Sequence, residues 1–169
     1  TRVLTNLFPE HLDWHRSEAA YFRDKTKLLS EATQGISWVN GQDPQSLARL
    51  DAFPNAHRFG TADSLHIANG IAWKGSERLG EMPVISAMGT HMASNAAAAL
   101  AIALQHQVPA TDAIRALESY EALPHRQEVL GTKGGITYVN DSISTIPQSA
   151  LAALARFAPA PVHLLLGGM

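Results

Sequence analysis

His11, Asp13 and His15 alternate along the segment TNLFPEHLDWH that starts at Thr5, and Lys25 follows further along the chain. Two imidazoles and a carboxylate at alternate positions are zinc-type ligands, but a loop lacks the helical spacing of a zinc hydrolase and offers no third strong ligand. Asp13 and His15 read better as residues that cap the next helix or stitch the loop to it. His11 differs, because the inferred fold returns Lys25 to its neighbourhood. A lysine buried beside a cation can lose its proton, and the neutral amine can take up carbon dioxide as a carbamate, which exchanges a cation for an anionic oxygen ligand. On that reading Lys25 becomes a metal-site residue.

Three further groups could do chemistry. Gly89-Thr90-His91-Met92-Ala93-Ser94-Asn95 opens an alanine-rich stretch. A helix start presents free N–H groups, and Asn95, one turn in, offers both amide donor and acceptor to a nucleobase edge; a capped helix with an incidental asparagine is the plainer alternative. In Leu123-Pro124-His125-Arg126-Gln127-Glu128, Arg126 could clamp a phosphate bidentately at a hinge, or serve as a surface ion-pair partner. In Val139-Asn140-Asp141-Ser142-Ile143-Ser144-Thr145-Ile146-Pro147, Asp141 sits where acidic residues accept from ribose hydroxyls. Ser142, Ser144 and Thr145 add donors for a carboxylate or phosphate, against the alternative of an over-capped helix.

These groups need elements to hold them. A short apolar strand at Thr1–Thr5 precedes the first group, and Ser17 caps a helix expected from Glu18 to Glu31, with Ala20, Phe22 or Tyr21, Leu28 and Leu29 inward. Short strands are expected at Ile36–Val39, Leu65–Ile67 and Ile71–Trp73. A helix follows from His91 to about Gln107, and another from Thr111, as cap, to Glu121. Leu123-Pro124 reads as a linker, with a domain boundary after residue 122. Beyond it come strands at Gln127–Leu130 and Ile136–Val139, a helix at Pro147–Phe157 opened by its proline, and a strand at Val162–Leu166, the last three forming a βαβ unit. The chain opens inside a strand and stops at Gly167-Gly168-Met169 where a doubly wound domain continues, so both ends read as cut.

Composition sets the limits. The 169 residues are 46% hydrophobic and 17% charged with a formal charge of −2, enough for a packed core and without a basic surface for nucleic acid or an anionic membrane. The chain has no cysteine, which excludes disulfides, thiolate zinc sites and cysteine nucleophiles and agrees with a reducing cytoplasm. It shows no signal peptide and no apolar run long enough to span a membrane, so a soluble protein is expected.

Taken in order, TNLFPEHLDWH with Lys25, GTHMASNAAAALAIAL, LPHRQE, NDSISTIPQSALAAL and HLLLGG resemble the Mur ligase family over nearly the whole chain, most closely its glutamate-adding branch. The resemblance implies an α/β fold: the later part of a central ATP-binding domain over residues 1–122, then the opening of a Rossmann-like C-terminal domain over residues 123–169. It implies an ATP-dependent amide ligase adding glutamate to UDP-N-acetylmuramoyl-L-alanine through an acyl phosphate, in cell-wall precursor synthesis, cytoplasmic and monomeric when intact. The implied cofactors are ATP, magnesium (or manganese in its place) and a carbamate on Lys25. His11 and Lys25 would hold the second magnesium, Asn95 adenine, Arg126 the ATP phosphates and Asp141 the ribose, with Ser144 and Thr145 near the incoming glutamate.

The chain departs from that pattern. No G-x-x-x-x-G-K-[ST] loop occurs in it, so turnover by this stretch alone is not expected. Met92 stands where the family commonly has asparagine, and Ile143 where several members have a lysine that pairs with the glutamate α-carboxylate, which leaves D- or L-glutamate open. Another amino-acid or folylpolyglutamate ligase of the family, or a non-catalytic nucleotide- or metal-binding module, are the alternatives.

Overall fold

The computed structural model describes residues 1–30, 35–50, 53 and 55–167. Glu31, the expected end of the first long helix, and the terminal Gly168-Met169 lie outside the described residues. Two compact units are present, Thr1–Ser119 and Tyr120–Met169.

The first unit runs β1 (Arg2–Leu4), α1 (Leu12–His15), α2 (Glu18–Ser30), β2 (Ser37–Asn40), α3 (Pro44–Leu47), β3 (Ala56–Phe59), β4 (Leu65–Ala68), β5 (Ile71–Lys74), β6 (Glu77–Glu81), α4 (Pro83–Ala87), α5 (Thr90–Gln105) and α6 (Ala110–Glu118). The strands form one six-stranded sheet in chain order, parallel from β1 to β4 and antiparallel through β5 and β6. Side chains alternate across a strand, so successive residues of β2 identify the two faces. Val39 joins Leu4, Leu7, Tyr21, Phe22 and Leu29 in a buried cluster beneath α2. Its neighbours reach α5 instead: Trp38 Nε1 donates to Gln105 Oε1 at 2.6 Å and Asn40 Nδ2 to Ser94 Oγ at 3.2 Å. The sheet is therefore enclosed by α2 on one side and α5 on the other.

Alanine density explains how closely α5 lies. Ala96, Ala97, Ala98, Leu100 and Ala101 are buried, and the small side chains let the helix backbone approach β2, β3 and β4. The helix α6 packs on β6, where Gly80 leaves room for Ile114; a Cβ there would lie 2.9 Å from its Cδ1. Glu118, at the end of α6, accepts the backbone N–H groups of Val84 and Ile85 at 2.9 and 3.0 Å, so a carboxylate meets the positive start of α4.

Ser17 caps α2 as expected, its Oγ accepting from Ala20 N at 3.1 Å. Tyr21, Phe22 and Leu29 are buried, whereas Leu28, one heptad after Tyr21 at the edge of the apolar stripe, is 45% exposed. The expected loop around Asp13 contains a single helical turn, α1, held between His11 and Arg16, both left-handed at φ 53° and 64°. Thr111 is not a cap: Pro109 takes that position and the helix starts at Ala110. β3 (AHRF) and β6 (ERLGE) carry too much charge to read as apolar runs, and escaped the sequence reading.

The second unit holds β7 (Glu128–Lys133), β8 (Ile136–Asn140) and α7 (Pro147–Phe157). An antiparallel hairpin joins β7 to β8 across Gly134 and Gly135, both at positive φ (59° and 80°), the geometry that two-residue hairpins need. The helix begins at Pro147 and ends at Phe157, as expected. The strand expected at Val162–Leu166 is not formed. Its backbone has no ladder among the described residues, and a strand exists only through a partner's hydrogen bonds. The α/β class holds; the βαβ unit is incomplete.

Candidate functional site

In the first unit the turns after β1 and β2 and the N-terminal part of α5 meet at the carboxyl ends of the parallel strands, where open α/β sheets bind ligands. Asn40, 8% exposed, is the node: its Nδ2 donates to Thr5 O at 2.8 Å and to Ser94 Oγ, while its Oδ1 accepts Gln42 N at 2.9 Å. Asp43 Oδ2 accepts Leu7 N at 3.2 Å and Ser46 N at 2.8 Å, capping α3. The chain can turn this tightly because of two glycines. A Cβ on Gly41 would lie 2.7 Å from Thr61 Cγ2, and one on Gly60, at φ +91°, 3.0 Å from Asn40 Oδ1.

Beyond that turn the expected metal residues find separate partners. His11 is 72% exposed at the side chain, and its Nε2 stands 3.8 Å from Glu10 Oε1. His15 is the histidine that contacts α2, with Nδ1 3.0 Å from Asp24 Oδ2 and its ring edge-on to Tyr21 at 5.2 Å. It stitches the turn to the helix. Lys25 is exposed, not buried as the carbamate reading assumed, and its Nζ lies 5.4 Å from the centre of the same Tyr21 ring. His15 and Lys25 thus share one aromatic platform, while no hydrogen bond or ion pair joins His11 to Lys25. Asp13 is exposed. Hydrogen bonds from Lys27 and then His15 hold the Asp24 carboxyl below its usual range. Burial, reinforced by Glu10, pushes the Tyr21 phenol up.

These groups, unmodified, do not make a magnesium site. Among the described residues no group of three or more His, Cys, Asp or Glu is placed to hold a metal, and a lysine amine offers none of the hard oxygens magnesium requires. Asn95 is exposed near the start of α5, clear of the buried alanine face.

In the second unit the segments around Arg126 and Asp141 come together. Asp141 Oδ1 accepts Gln127 N at 3.0 Å and Oδ2 accepts Ser144 Oγ at 2.7 Å. Asn140 Nδ2 lies 2.8 Å from His125 Nδ1, and Ile143 N donates to His125 O at 3.3 Å. Arg156 Nη1 donates to Gln127 O at 3.1 Å. Arg126 is left exposed at the surface of this knot, as is Thr145, and Ser144 is half-buried.

Sequence reasoning passed over Asn40, Asp43 and Ser94; it read His15 as stitching the loop to the helix, and left Asp24, its partner, unnamed. A signal existed for the first two: Asn-Gly directly after an apolar strand marks a turn, and Asp-Pro marks a helix start.

Residues 1–103 match the Mur ligase middle domain. The chain is 40% identical over 167 residues to the UDP-N-acetylmuramoyl-L-alanine--L-glutamate ligase of Xanthomonas campestris pv. campestris, covering 98% of this chain and 36% of that protein. This chain belongs to the Mur ligase family. The identically named Micromonospora sp. ligase is 38% identical over 175 residues, covering 98% of this chain and 38% of its own length. This Mur ligase chain therefore spans little more than a third of these relatives. The crystal structure of MurF from Acinetobacter baumannii superposes with a TM-score of 0.68 at 20% identity, covering 94% of this chain and 37% of that one, which shows the shared fold. Members of the family are ATP-dependent ligases that use magnesium. No helix among the described residues is long and apolar enough to cross a membrane.

Proposed function

We propose that this chain is the central stretch of an ATP-dependent ligase that joins L-glutamate to UDP-N-acetylmuramoyl-L-alanine in peptidoglycan precursor synthesis. The observation that carries the reading is the 40% identity, sustained over 98% of the chain, to a ligase whose name states L-glutamate. Ile143 in place of a lysine agrees with an altered amino-acid site. Residues 1–122 would form part of the central ATP-binding domain and residues 123–169 the opening of the C-terminal domain, in a cytoplasmic monomer.

Each residue then has a task suited to its surroundings. Asn95, exposed near the start of α5, pairs with the adenine edge, and the N–H groups of that helix start favour phosphate. Exposed Arg126 reaches the ATP phosphates. Asp141 accepts from the ribose with the lone pairs left free by Gln127 and Ser144. Ser144 and Thr145 face the incoming glutamate. Lys25, once carbamylated, supplies the hard oxygens that the unmodified groups lack, and with His11 it holds a magnesium ion, which when bound screens the charge of ATP and the acyl substrate. Manganese serves in its place.

The test is phosphate release by the full-length ligase given ATP, magnesium, UDP-N-acetylmuramoyl-L-alanine and either glutamate enantiomer. Release that depends on L-glutamate is expected. Preference for the D enantiomer would overturn the assigned stereochemistry, and release independent of any amino acid would overturn the ligase reading.

A further inference from the structure

The turn Asn40-Gly41-Gln42-Asp43 grips the loop leading to His11 at two points. Asn40 Nδ2 holds the Thr5 carbonyl at 2.8 Å, and Asp43 Oδ2 holds the Leu7 amide at 3.2 Å. Between these points runs a loop whose Leu7 side chain is 1% exposed, so the grip fixes a buried anchor as well as a backbone direction. The same Asn40 amide reaches Ser94 Oγ at 3.2 Å, on the turn of α5 that also carries Asn95. One side chain thereby ties the strand-end loop to the helix start.

The orientation of that amide follows from its partners. Thr5 O can only accept and Gln42 N can only donate, so the nitrogen must face the first and the oxygen the second. Aspartate in this position would keep the Gln42 contact and could accept a hydrogen bond from the Ser94 hydroxyl, but would set a carboxylate oxygen against the Thr5 carbonyl. Gly60 enforces the arrangement from the far side, since any Cβ there would meet Asn40 Oδ1 at 3.0 Å.

We propose that Asn40 and Asp43 are positioning residues: together they fix the loop bearing His11 in register with the N-terminal part of α5, so that the groups proposed for metal and for nucleotide keep one spacing. The proposal rests on the functional reading above for its catalytic consequence, and on the hydrogen bonds alone for its structural part. Both side chains are buried and act through the backbone they hold.

The experiment has two arms. In the 169-residue chain, amide hydrogen exchange at Leu7 is slow in the wild type, fast in Asp43→Ala and slow again in Asp43→Asn, whose side-chain oxygen still accepts. In the full-length ligase, at a temperature where each variant is folded by circular dichroism, Asn40→Asp and Asp43→Ala lower kcat by about 10- to 100-fold, the scale expected for misplacement by about an ångström. The KM for L-glutamate stays unchanged, because Ser144 and Thr145 belong to the other unit, and Asp43→Asn restores most of kcat. Should Asn40→Asp not fold, Ser94→Ala, which removes a single hydroxyl, is expected to lower kcat in the same direction. A freely exchanging Leu7 amide in the wild type, an unchanged kcat in folded variants, or loss in Asp43→Asn as deep as in Asp43→Ala would each overturn the proposal. If the wild-type ligase shows no amino-acid-dependent turnover the functional reading falls, while exchange at Leu7 still decides the grip.

Discussion

At Lys25 an exposed amine lies against the Tyr21 ring, which His15 also contacts, and the environment of the lysine is therefore set by an aromatic platform more than by a neighbouring cation. The inferred fold pointed to His11 as the partner of Lys25, whereas the sequence already read His15 as the residue that stitches the loop to the helix, which the single turn α1 accomplishes by placing it against Asp24 and Tyr21. If the carbamate supplies the missing oxygens, Lys25→Ala in the full-length ligase loses most activity and regains part of it when short carboxylic acids are added; absence of any recovery in a phosphate-release assay counts against the carbamate. Asp24 gives a second prediction. Its folded carboxyl titrates below the ordinary value of 3.8, so the ionised group adds stability above that pH, and the contribution is lost as pH falls through the lower folded value. Urea denaturation of Asp24→Asn should thus show a deficit against wild type at neutral pH that closes well below pH 3.8. A deficit that persists in acid would mean the carboxylate charge is not its source.

At the scale of elements, what could be read in the sequence was whatever had a strong local cause. Ser17 stops α2 at its start, Pro147 starts α7, and the alanine run makes α5, each through propensity or capping that needs no distant partner. β3 and β6 are strands because neighbouring backbones pair with them, a cause that charged segments such as His57-Arg58 and Glu77-Arg78 do not display. The converse held at Val162–Leu166, where an apolar run looked like a strand and lacks the ladder. The Asn40 turn belongs to this scale too, since its tightness depends on backbone glycines from two different connections. Gly60→Ala forces a methyl into a backbone at φ +91° and against Asn40 Oδ1, and is expected to destabilise the chain by about 1–3 kcal/mol. An unchanged denaturation midpoint would show that the turn relaxes freely.

For the whole molecule, the buried apolar side chains among the described residues, from Leu4 to Ile114, all belong to the first unit; in the second, the buried residue is Gln127. A unit of this size without a buried apolar core has little to offset its chain entropy. The β7–β8 amides are accordingly expected to exchange much faster than those of β2 or α5 when followed residue by residue, and equal protection would contradict this. The charge balance of −2 and the absence of cysteine narrowed the chemistry to be considered, yet neither could indicate which loop a buried amide would hold.

The turn between His11 and Arg16 carries one more consequence. Trp14 stands 80% exposed at its centre, whereas Trp38 and Trp73 are partly covered by the sheet and its helices. The chain thus contains its own optical reporter: the indole most open to collisional quenchers sits three residues from the imidazole proposed for the metal, and emission at its red edge will register any change in the exposure of that corner without a label being attached.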